Sequence, residues 1–194
     1  MILAKETDLA QVVKLITRSF DKNKSVNYVV KQDKKRIRRI ERLAEYAFRV
    51  CYAFGEVWMS EDKNACALFL FSEKKRLTLN AIWWDLKLAF GTIGISRVSK
   101  VLTREGKVKK QHPQNTHYCY LWFIGVDPNH QKKGLGSQLL RQLIDKCRQW
   151  QRPIYLETSV SSNLKWYKSL GFEQYRTIQF DYELFLLRKN DPVT

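Results

Sequence analysis

The spacing of apolar residues along this chain predicts where its helices and strands lie. Apolar residues at steps of three and four positions indicate a helix with one buried face, whereas compact apolar runs between polar turns indicate strands. By these criteria the first half of the chain holds, in order, a short strand, two helices and the two strands of a hairpin, over residues 1–5, 9–20, 33–50, 53–60 and 65–72. Residues 21–31 break the helical pattern and are predicted to be a loop, and the polar sequence Glu61–Asn64 joins the hairpin strands.

The second half of the chain has the element order of a parallel strand pair. It is predicted to hold a strand, a helix, a second strand, a short helix and a closing antiparallel pair, over residues 117–126, 134–150, 154–159, 162–169, 172–179 and 180–188. Two strands joined by a crossover helix are expected to lie parallel, with a right-handed connection. The 194 residues suit a single α/β (α+β) domain over 1–194, with a mixed, mostly antiparallel central sheet flanked by helices.

A helical insertion at about 76–114 separates the hairpin from the second half. Helices are predicted from about Leu79 to Phe90 and from about Ile95 to Thr103. Trp83 and the other bulky apolar residues here cannot all face one buried stripe, and we expect them to pack on the sheet and the first two helices. Two alternatives stay open: a wall or lid over an acceptor site, and a helix on a membrane surface.

Composition indicates a globular protein that is strongly basic. Hydrophobic residues make up 44% and charged residues 28%, and the net charge of +16 predicts attraction to anions such as a nucleotide. The helix over 33–50 has a basic outer face, which we interpret as a solvated exterior because no aromatic residues alternate with its cations to stack on RNA. Nucleic acid is therefore not the partner we expect, although an RNA- or ribosome-associated basic protein remains an alternative.

The cysteines and the N-terminus favour a cytoplasmic location. The four cysteines occur singly in apolar surroundings, which is typical of buried thiols in a reducing compartment and not of a disulfide framework or a zinc site. We therefore expect no metal. The first residues lack the pattern of a signal peptide, and no stretch reaches the length and apolarity of a membrane span. The sequence leaves the oligomeric state open, with a homodimer as one option.

The loop between the strand over 117–126 and the following helix has the composition of an anion site. Gly134 and Gly136 let the backbone approach a phosphate, and the unpaired amides of a helix's first turn point at it. The helix dipole adds roughly 0.3–1 kcal/mol of preference for an anion. Lys132 and Lys133 lie beside the glycines. Taken alone, the loop is also compatible with an ordinary strand-to-helix turn.

Longer motifs raise the specificity of this signal. The string Val126-Asp127-Pro128 followed by Gln131-x-x-Gly134-x-Gly136 resembles motif A of the GCN5-related N-acetyltransferase (GNAT) superfamily. Downstream, the N-x-x-x-Y-x-x-x-G-F pattern of that superfamily is matched by Asn163, Tyr167 and Gly171-Phe172, and the sequence LETS at 156–159 looks most like the puromycin N-acetyltransferase-like branch. The resemblance is strong over 116–172 and weak over the N-terminal helices and the insertion, so antibiotic specificity does not transfer.

The resemblance implies a GNAT fold in which two parallel strands splay around acetyl-CoA. The backbone of Ile124 and Val126 is expected to bind the pantetheine arm, and the amides of 131–137 the pyrophosphate. The full set of expected cofactor-binding residues is Ile124, Gly125, Val126, Gln131, Lys132, Lys133, Gly134, Leu135, Gly136, Ser137, Asn163 and Tyr167. For Asn163, a simple helix cap is the other explanation. The implied reaction moves an acetyl group from acetyl-CoA to a primary amine, for which we expect a small-molecule acceptor.

Three residues are candidates for the proton transfers of this reaction. Tyr167 can protonate the departing CoA thiolate, with packing in the core as the alternative. Glu157 is an acid in an otherwise apolar strand and is a candidate base or amine anchor, with a structural ion pair as the alternative. His117 is the other candidate base, since histidine titrates near neutrality. Neither Cys nor Ser lies in a nucleophile motif, which favours direct transfer. A CoA-binding sensor without catalysis remains a further alternative.

Overall fold

The central feature of the structure, a computed structural model that describes residues 1–74 and 78–190, is one mixed sheet. Within these residues its seven strands are β1 (Ile2–Leu3), β2 (Gly55–Met59), β3 (Ala65–Phe71), β4 (Cys119–Val126), β5 (Ile154–Thr158), β6 (Glu173–Gln179) and β7 (Glu183–Lys189). Across the sheet the order is β1-β2-β3-β4-β5-β7-β6, and every pairing is antiparallel except that of β4 with β5. The predicted fold class, including the parallel pair, is confirmed.

Helices cover both faces of this sheet. They are α1 (Leu9–Phe20), α2 (Lys24–Val29), α3 (Arg36–Phe54), α4 (Leu79–Leu88), α5 (Ile95–Lys109), α6 (Leu135–Gln149) and α7 (Asn163–Ser169). All seven residues of β3 are buried: Cys66 and Leu68 belong to the core formed with α1 and α3, whereas Ala67 and Phe69 belong to the core formed with α6. Because side chains alternate between the faces of a strand, β3 serves two cores and needs an unbroken apolar run.

The N-terminal half departs from the sequence pattern at two places. Residues 21–31 are not wholly a loop, because α2 forms there with Asn23 as its cap, accepting a hydrogen bond from the Val26 amide at 3.1 Å. With six residues, α2 is too short to show an apolar period. In addition, α3 continues to Phe54, and β2 begins at Gly55, where an added Cβ would lie 1.9 Å from the Phe69 carbonyl oxygen.

The insertion is helical as predicted, but it packs differently. Its two helices, α4 and α5, are joined by a π-helical turn (Ala89–Ile93), and its first two residues, Arg76 and Leu77, lie outside the described residues. No residue of α4 is fully buried, and Trp83 is 56% exposed. The expected burial of this side chain on the sheet is therefore wrong. The reason is that α1 and α3 already form the core on that face, so α4 packs against the outside of α3.

Neither a membrane-crossing helix nor a metal-binding cluster is found in the part of the chain that the structure describes. Over residues 1–74 and 78–190, no helix is long and apolar enough to cross a membrane. The same residues contain no group of three or more His, Cys, Asp or Glu side chains that could hold a metal ion. All four cysteines are buried, as their apolar surroundings predicted.

Candidate active site

The parallel strands β4 and β5 start side by side and then separate. Their register pairs only Cys119 with Ile154 and Tyr120 with Tyr155. Beyond this point β4 stays paired to β3 and β5 to β7, so a wedge-shaped gap opens between the two parallel strands. The splayed pair that the GNAT resemblance implied is therefore present.

A bulge on β4 lies at the apex of this gap. Leu68 and Phe69 are consecutive in β3, yet they face Phe123 and Leu121 of β4, which leaves Trp122 as the extra residue. A bulge reverses the alternation of side chains along a strand. Leu121 accordingly joins the core of α6, whereas Phe123 joins the core of α1 and α3. The reversal turns Ile124 toward the α6 side, where the wedge opens.

A cavity of about 440 Å³ fills the open end of the wedge. It brings together ten of the twelve predicted cofactor-binding residues, namely Ile124, Gly125, Val126, Gln131, Lys132, Gly134, Leu135, Gly136, Ser137 and Asn163. Lys133 and Tyr167 are not among the residues that line it. The pattern reading missed the residues that α1, the loops and α7 add to the lining, which are Ser19, Phe20, Asn23, His130, Val160 and Trp166.

The loop before α6 has the backbone geometry of an anion site. Gly134 is the N-cap of α6 with φ +84°, a left-handed conformation that favours glycine, and it has no side chain to occupy the amides of the first turn. Lys132 also has a positive φ of 63°, which is uncommon for a residue with a side chain. At Gly136 an added Cβ would lie 3.3 Å from Val126 Cγ2, so α6 packs closely against β4. The helix therefore directs its N-terminus into the cavity.

Polar contacts connect the cavity walls. The Val126 carbonyl accepts hydrogen bonds from Ser19 Oγ at 2.8 Å and from Gln131 Nε2 at 3.1 Å. Trp166 Nε1 donates to Ser137 Oγ at 2.8 Å and so joins α7 to α6. Asn163 is the first residue of α7, with Ser162 at the N-cap position and no side-chain capping bond. Asn163 therefore lines the cavity without acting as the helix cap.

Glu157 lies just beyond the point where the strands separate, in a buried polar cluster. Its side chain is 6% exposed, and its Oε2 accepts a hydrogen bond from Tyr120 Oη at 2.5 Å. The other oxygen, Oε1, lies 3.0 Å from His112 Nε2, and the His112 side chain is 7% exposed. This contact has ion-pair distance without hydrogen-bond geometry, and neither atom has a hydrogen-bond partner within the described residues.

Aromatic and basic side chains enclose the carboxylate of Glu157. Burial, and then the charge of Glu157, raise the pKa of Tyr118 to about 12 and the pKa of Tyr120 well above its ordinary value. Tyr118 Oη lies 3.2 Å from His112 Nδ1. Burial alone would lower the pKa of the Arg104 guanidinium, but its acidic and phenolic neighbours raise it above the usual range. The cluster thus surrounds Glu157 with neutral phenols, and the nearby Arg104 guanidinium forms its ion pair with Glu105.

The structure places the other two candidate proton-transfer residues away from Glu157. Tyr167 is buried in the core on the α6 side, with its ring 4.6 Å from that of Trp166 and 5.6 Å from that of Phe172, measured between centroids. Burial raises the pKa of its phenol. His117 is 71% exposed on its side chain and lies 3.9 Å from Glu73.

His112, and not His117, is therefore the histidine beside Glu157. β4 begins only at Cys119, which leaves His117 in the exposed segment ahead of the strand. His112 follows the end of α5 and reaches Glu157 because the insertion returns to the sheet at that point. Sequence reasoning missed this contact, since the two residues are far apart in the chain and no motif links them.

Comparison with known proteins identifies the family. The profile of the acetyltransferase (GNAT) family matches residues 53–172, more than half of the chain. The chain belongs to the GNAT acetyltransferase family. The matched region runs from β2 through the cavity to the end of α7, and it includes every residue predicted to bind the cofactor or transfer a proton.

The curated relatives of this GNAT chain match it over short regions. An uncharacterized N-acetyltransferase of Schizosaccharomyces pombe is 31% identical over 80 residues, which cover 41% of this chain and 30% of the relative. The N-alpha-acetyltransferase RimI of Mycobacterium tuberculosis is 39% identical over 51 residues, which cover 26% of this chain and 32% of the relative. The chain thus spans about a third of the length of the curated relatives it matches. Assignment to the puromycin N-acetyltransferase-like branch stays a prediction.

Solved GNAT structures share the fold over the whole chain. The histone acetyltransferase HPA2 and related acetyltransferase from Corynebacterium glutamicum has a TM-score of 0.72 at 18% identity, covering 100% of this chain and 97% of that chain. Naa50 of Arabidopsis thaliana, solved with the bisubstrate analogue CoA-Ac-MVNAL, has a TM-score of 0.54 at 15% identity, covering 97% and 96%. At such identities the similarity supports the fold, and it agrees with the topology described above.

Proposed function

We propose that this protein transfers an acetyl group from acetyl-CoA to a primary amine by direct attack. The observation that carries the proposal is the cavity between the splayed ends of β4 and β5, which the uncapped first turn of α6 borders. Its residues suit the pyrophosphate and pantetheine of CoA: amides and a lysine at one end, and an open strand edge at the other. Family membership supports the reaction class.

Different residues of the cavity would bind different parts of acetyl-CoA. The first turn of α6 would bind the pyrophosphate, with Lys132 in the lining and Lys133 next to it in sequence. The edge of β4 at Ile124 would receive the pantetheine arm. The Val126 carbonyl already accepts two hydrogen bonds, which is its full capacity, so the Gln131 side chain must move when a pantetheine amide donates to that oxygen. Acetyl-CoA, when bound, supplies the thioester that the amine attacks.

Glu157 is the proposed base. A lysine-like amine must lose its proton before attack, which costs about 4–5 kcal/mol at pH 7 for a reference pKa near 10.4. The carboxylate of Glu157 is buried close to the point where the strands separate, and its Oε1 has no hydrogen-bond donor within the described residues. His112 Nε2, which lies 3.0 Å from Oε1, would then take this proton, and the proton on Nδ1 would pass to solvent through the Tyr118 hydroxyl, which gives up its own proton as it accepts one. The path returns the carboxylate to its charged form.

Tyr167 is the proposed acid for the departing thiolate. Its support is its place in the N-x-x-x-Y-x-x-x-G-F pattern; burial raises the pKa of its phenol, which keeps the hydroxyl protonated at neutral pH but makes it a weaker acid than an exposed tyrosine. Burial without a charged neighbour is the physical cause of that raised pKa. In this role the hydroxyl has to reach the sulfur from the core side of the cavity.

A small-molecule amine is the proposed acceptor, and a peptide N-terminus is the second candidate. The single carboxylate of Glu157 suits one ammonium group, and the net charge of +16 disfavours a polycation. The peptide alternative is favoured by the similarity to RimI, which is named as an N-alpha-acetyltransferase. Release of free CoA thiol, measured over a panel of small amines and short peptides, distinguishes the two acceptors. Binding of CoA with no thiol release from any acceptor would instead favour a sensor without catalysis.

Calorimetry with CoA tests the cavity itself. The wild-type protein should bind CoA, and Gly134→Glu should abolish binding, because the side chain meets a positive φ and puts a carboxylate where the pyrophosphate belongs. Gly106→Glu is the matched control: Gly106 lies on α5, and an added Cβ there has no neighbour within 4 Å. Absence of CoA binding by the wild type, or equal binding by Gly134→Glu, would contradict the proposal.

A further inference from the structure

A stripe of exposed apolar side chains runs along α4 into the π-helical turn. Its members are 45% to 87% exposed and comprise Leu79, Ile82, Trp83, Leu86 and Phe90. They follow one another at steps of one, three or four residues, which places them on one side of the helix. Half of the ten exposed large hydrophobic residues in the described chain belong to this apolar stripe. Such a concentration marks an interaction surface, since exposed apolar residues are otherwise scattered.

The opposite side of α4 explains why the stripe faces outward. Ala81, Trp84 and Leu88 pack against the core that α1 and α3 share. Tyr46 Oη on α3 donates a hydrogen bond to Asp85 at 2.6 Å. These contacts orient the helix, so the apolar stripe cannot turn inward without breaking them. The exposure is therefore built into the packing of α4.

Cations border the apolar stripe. Arg39 and Arg42 on α3 donate hydrogen bonds to the Gly91 carbonyl at 2.8 and 2.9 Å, which ties the turn that carries Phe90 to the basic end of α3. The exposed cations on that end of α3 are Lys34, Lys35, Arg38 and Arg42. Within the stripe, the Lys87 ammonium lies 5.2 Å from the centre of the Trp83 ring. Residues 74–110 contain ten Lys or Arg and only two acidic residues.

The apolar stripe and the cations that border it together favour a partner with a negative charge. A second copy of the chain would bring the same cations to the contact and repel it. An anionic bilayer instead attracts the cations, and it accepts apolar side chains without a matched shape. We propose that the apolar stripe binds the surface of an anionic phospholipid bilayer. Trp83 and Phe90 enter the boundary between headgroups and acyl chains, and the bordering lysines and arginines contact the headgroups.

Vesicle binding tests this proposal independently of acetyl transfer. The full chain should co-sediment with vesicles of phosphatidylglycerol and phosphatidylcholine, and far less with phosphatidylcholine alone. The double variant Leu86→Gln/Phe90→Gln should need at least tenfold more anionic lipid for half-maximal binding. Leu3→Gln is the matched control, because Leu3 is 52% exposed on β1, away from the stripe, and should bind like wild type. Raising the salt concentration should weaken binding of the wild type.

Two further measurements separate loss of binding from loss of folding. Thermal melting and CoA binding of the double variant should match those of the wild type, since both side chains are exposed. Tryptophan emission should shift to shorter wavelength on adding anionic vesicles, and Trp83→Phe should remove most of that shift. Lack of sedimentation with anionic vesicles at low salt, or undiminished binding by the double variant, overturns the proposal. So does a wild-type dimer that the double variant dissociates without any lipid binding, because the stripe would then be a contact between copies.

Discussion

At the scale of single residues, the contacts of Glu157 predict how substitutions there change proton transfer. Glu157→Gln keeps the shape of the side chain but cannot accept a proton, so kcat should fall by roughly 10²-fold or more with a smaller change in KM. His112→Gln should lower kcat less.

The matched control for the histidine is His117→Gln, since His117 is exposed and lies beside Glu73 and not beside Glu157. Its kinetics and pH profile should equal those of the wild type. Steady-state rates of CoA thiol release between pH 5 and 9 provide the measurement. An unchanged kcat for His112→Gln, together with a loss for His117→Gln, would restore His117 as the candidate base.

Tyr167 gives a second prediction at this scale. Tyr167→Phe removes the acidic proton and leaves the packing against Trp166 and Phe172 nearly unchanged, so kcat should fall while CoA affinity stays within about twofold of wild type. Burial raises the pKa of Tyr167, so the phenol keeps its proton as the pH rises and should cause no loss of activity up to pH 9. An unchanged kcat in single-turnover experiments would leave Tyr167 with a packing role alone.

At the scale of elements, the close packing of α6 on β4 makes a prediction about glycine. Gly106→Ala, in the last turn of α5, meets no neighbour within 4 Å and should stabilise the protein by about 0.5 kcal/mol. Gly136→Ala should gain less, because its methyl group lies 3.3 Å from Val126 Cγ2, and it should weaken CoA binding because Gly136 lines the cavity. Urea unfolding and calorimetry check the two effects separately. Equal CoA affinity in both variants would mean that the ligand does not approach α6 this closely.

At the scale of the whole molecule, the two faces of the sheet serve different purposes. The α6 face carries the loop before α6 and the core around Tyr167. The opposite face carries α1 and α3, and α5 and His112 close over Glu157 from that side. The wedge between β4 and β5 is the point where both sides meet, since the sheet is interrupted there. In the proposed reaction, the amine would enter from one side and meet a thioester held from the other.

The positive charge of the molecule is divided between two separate surfaces. The net charge of +16 first suggested only an affinity for anions. In the fold, Lys132 borders the cavity, whereas the cations of α3 border the apolar stripe. One composition thus supports two separate anion-binding proposals, a soluble nucleotide and a lipid surface. Sequence composition cannot separate them, because it does not say which cations share a surface.

Local patterns by themselves predicted most of the elements and ten of the residues that line the cavity. Apolar periodicity predicted the strand pair, the crossover helix and the hairpin, because burial of one face imposes that spacing on any sequence. The loop before α6 could be recognised locally as well, because the positive φ of Gly134 is a conformation that favours glycine.

Only the tertiary structure decided the surroundings of Glu157 and the exposure of α4. His112 contacts Glu157 from the end of the insertion. The bulge at Trp122 reverses the alternation of side chains along β4. Trp83 stays exposed on α4 because α3 already occupies the core. These contacts join residues distant in the chain. They depend on how the layers pack, and the spacing of residues along the sequence does not predict that packing.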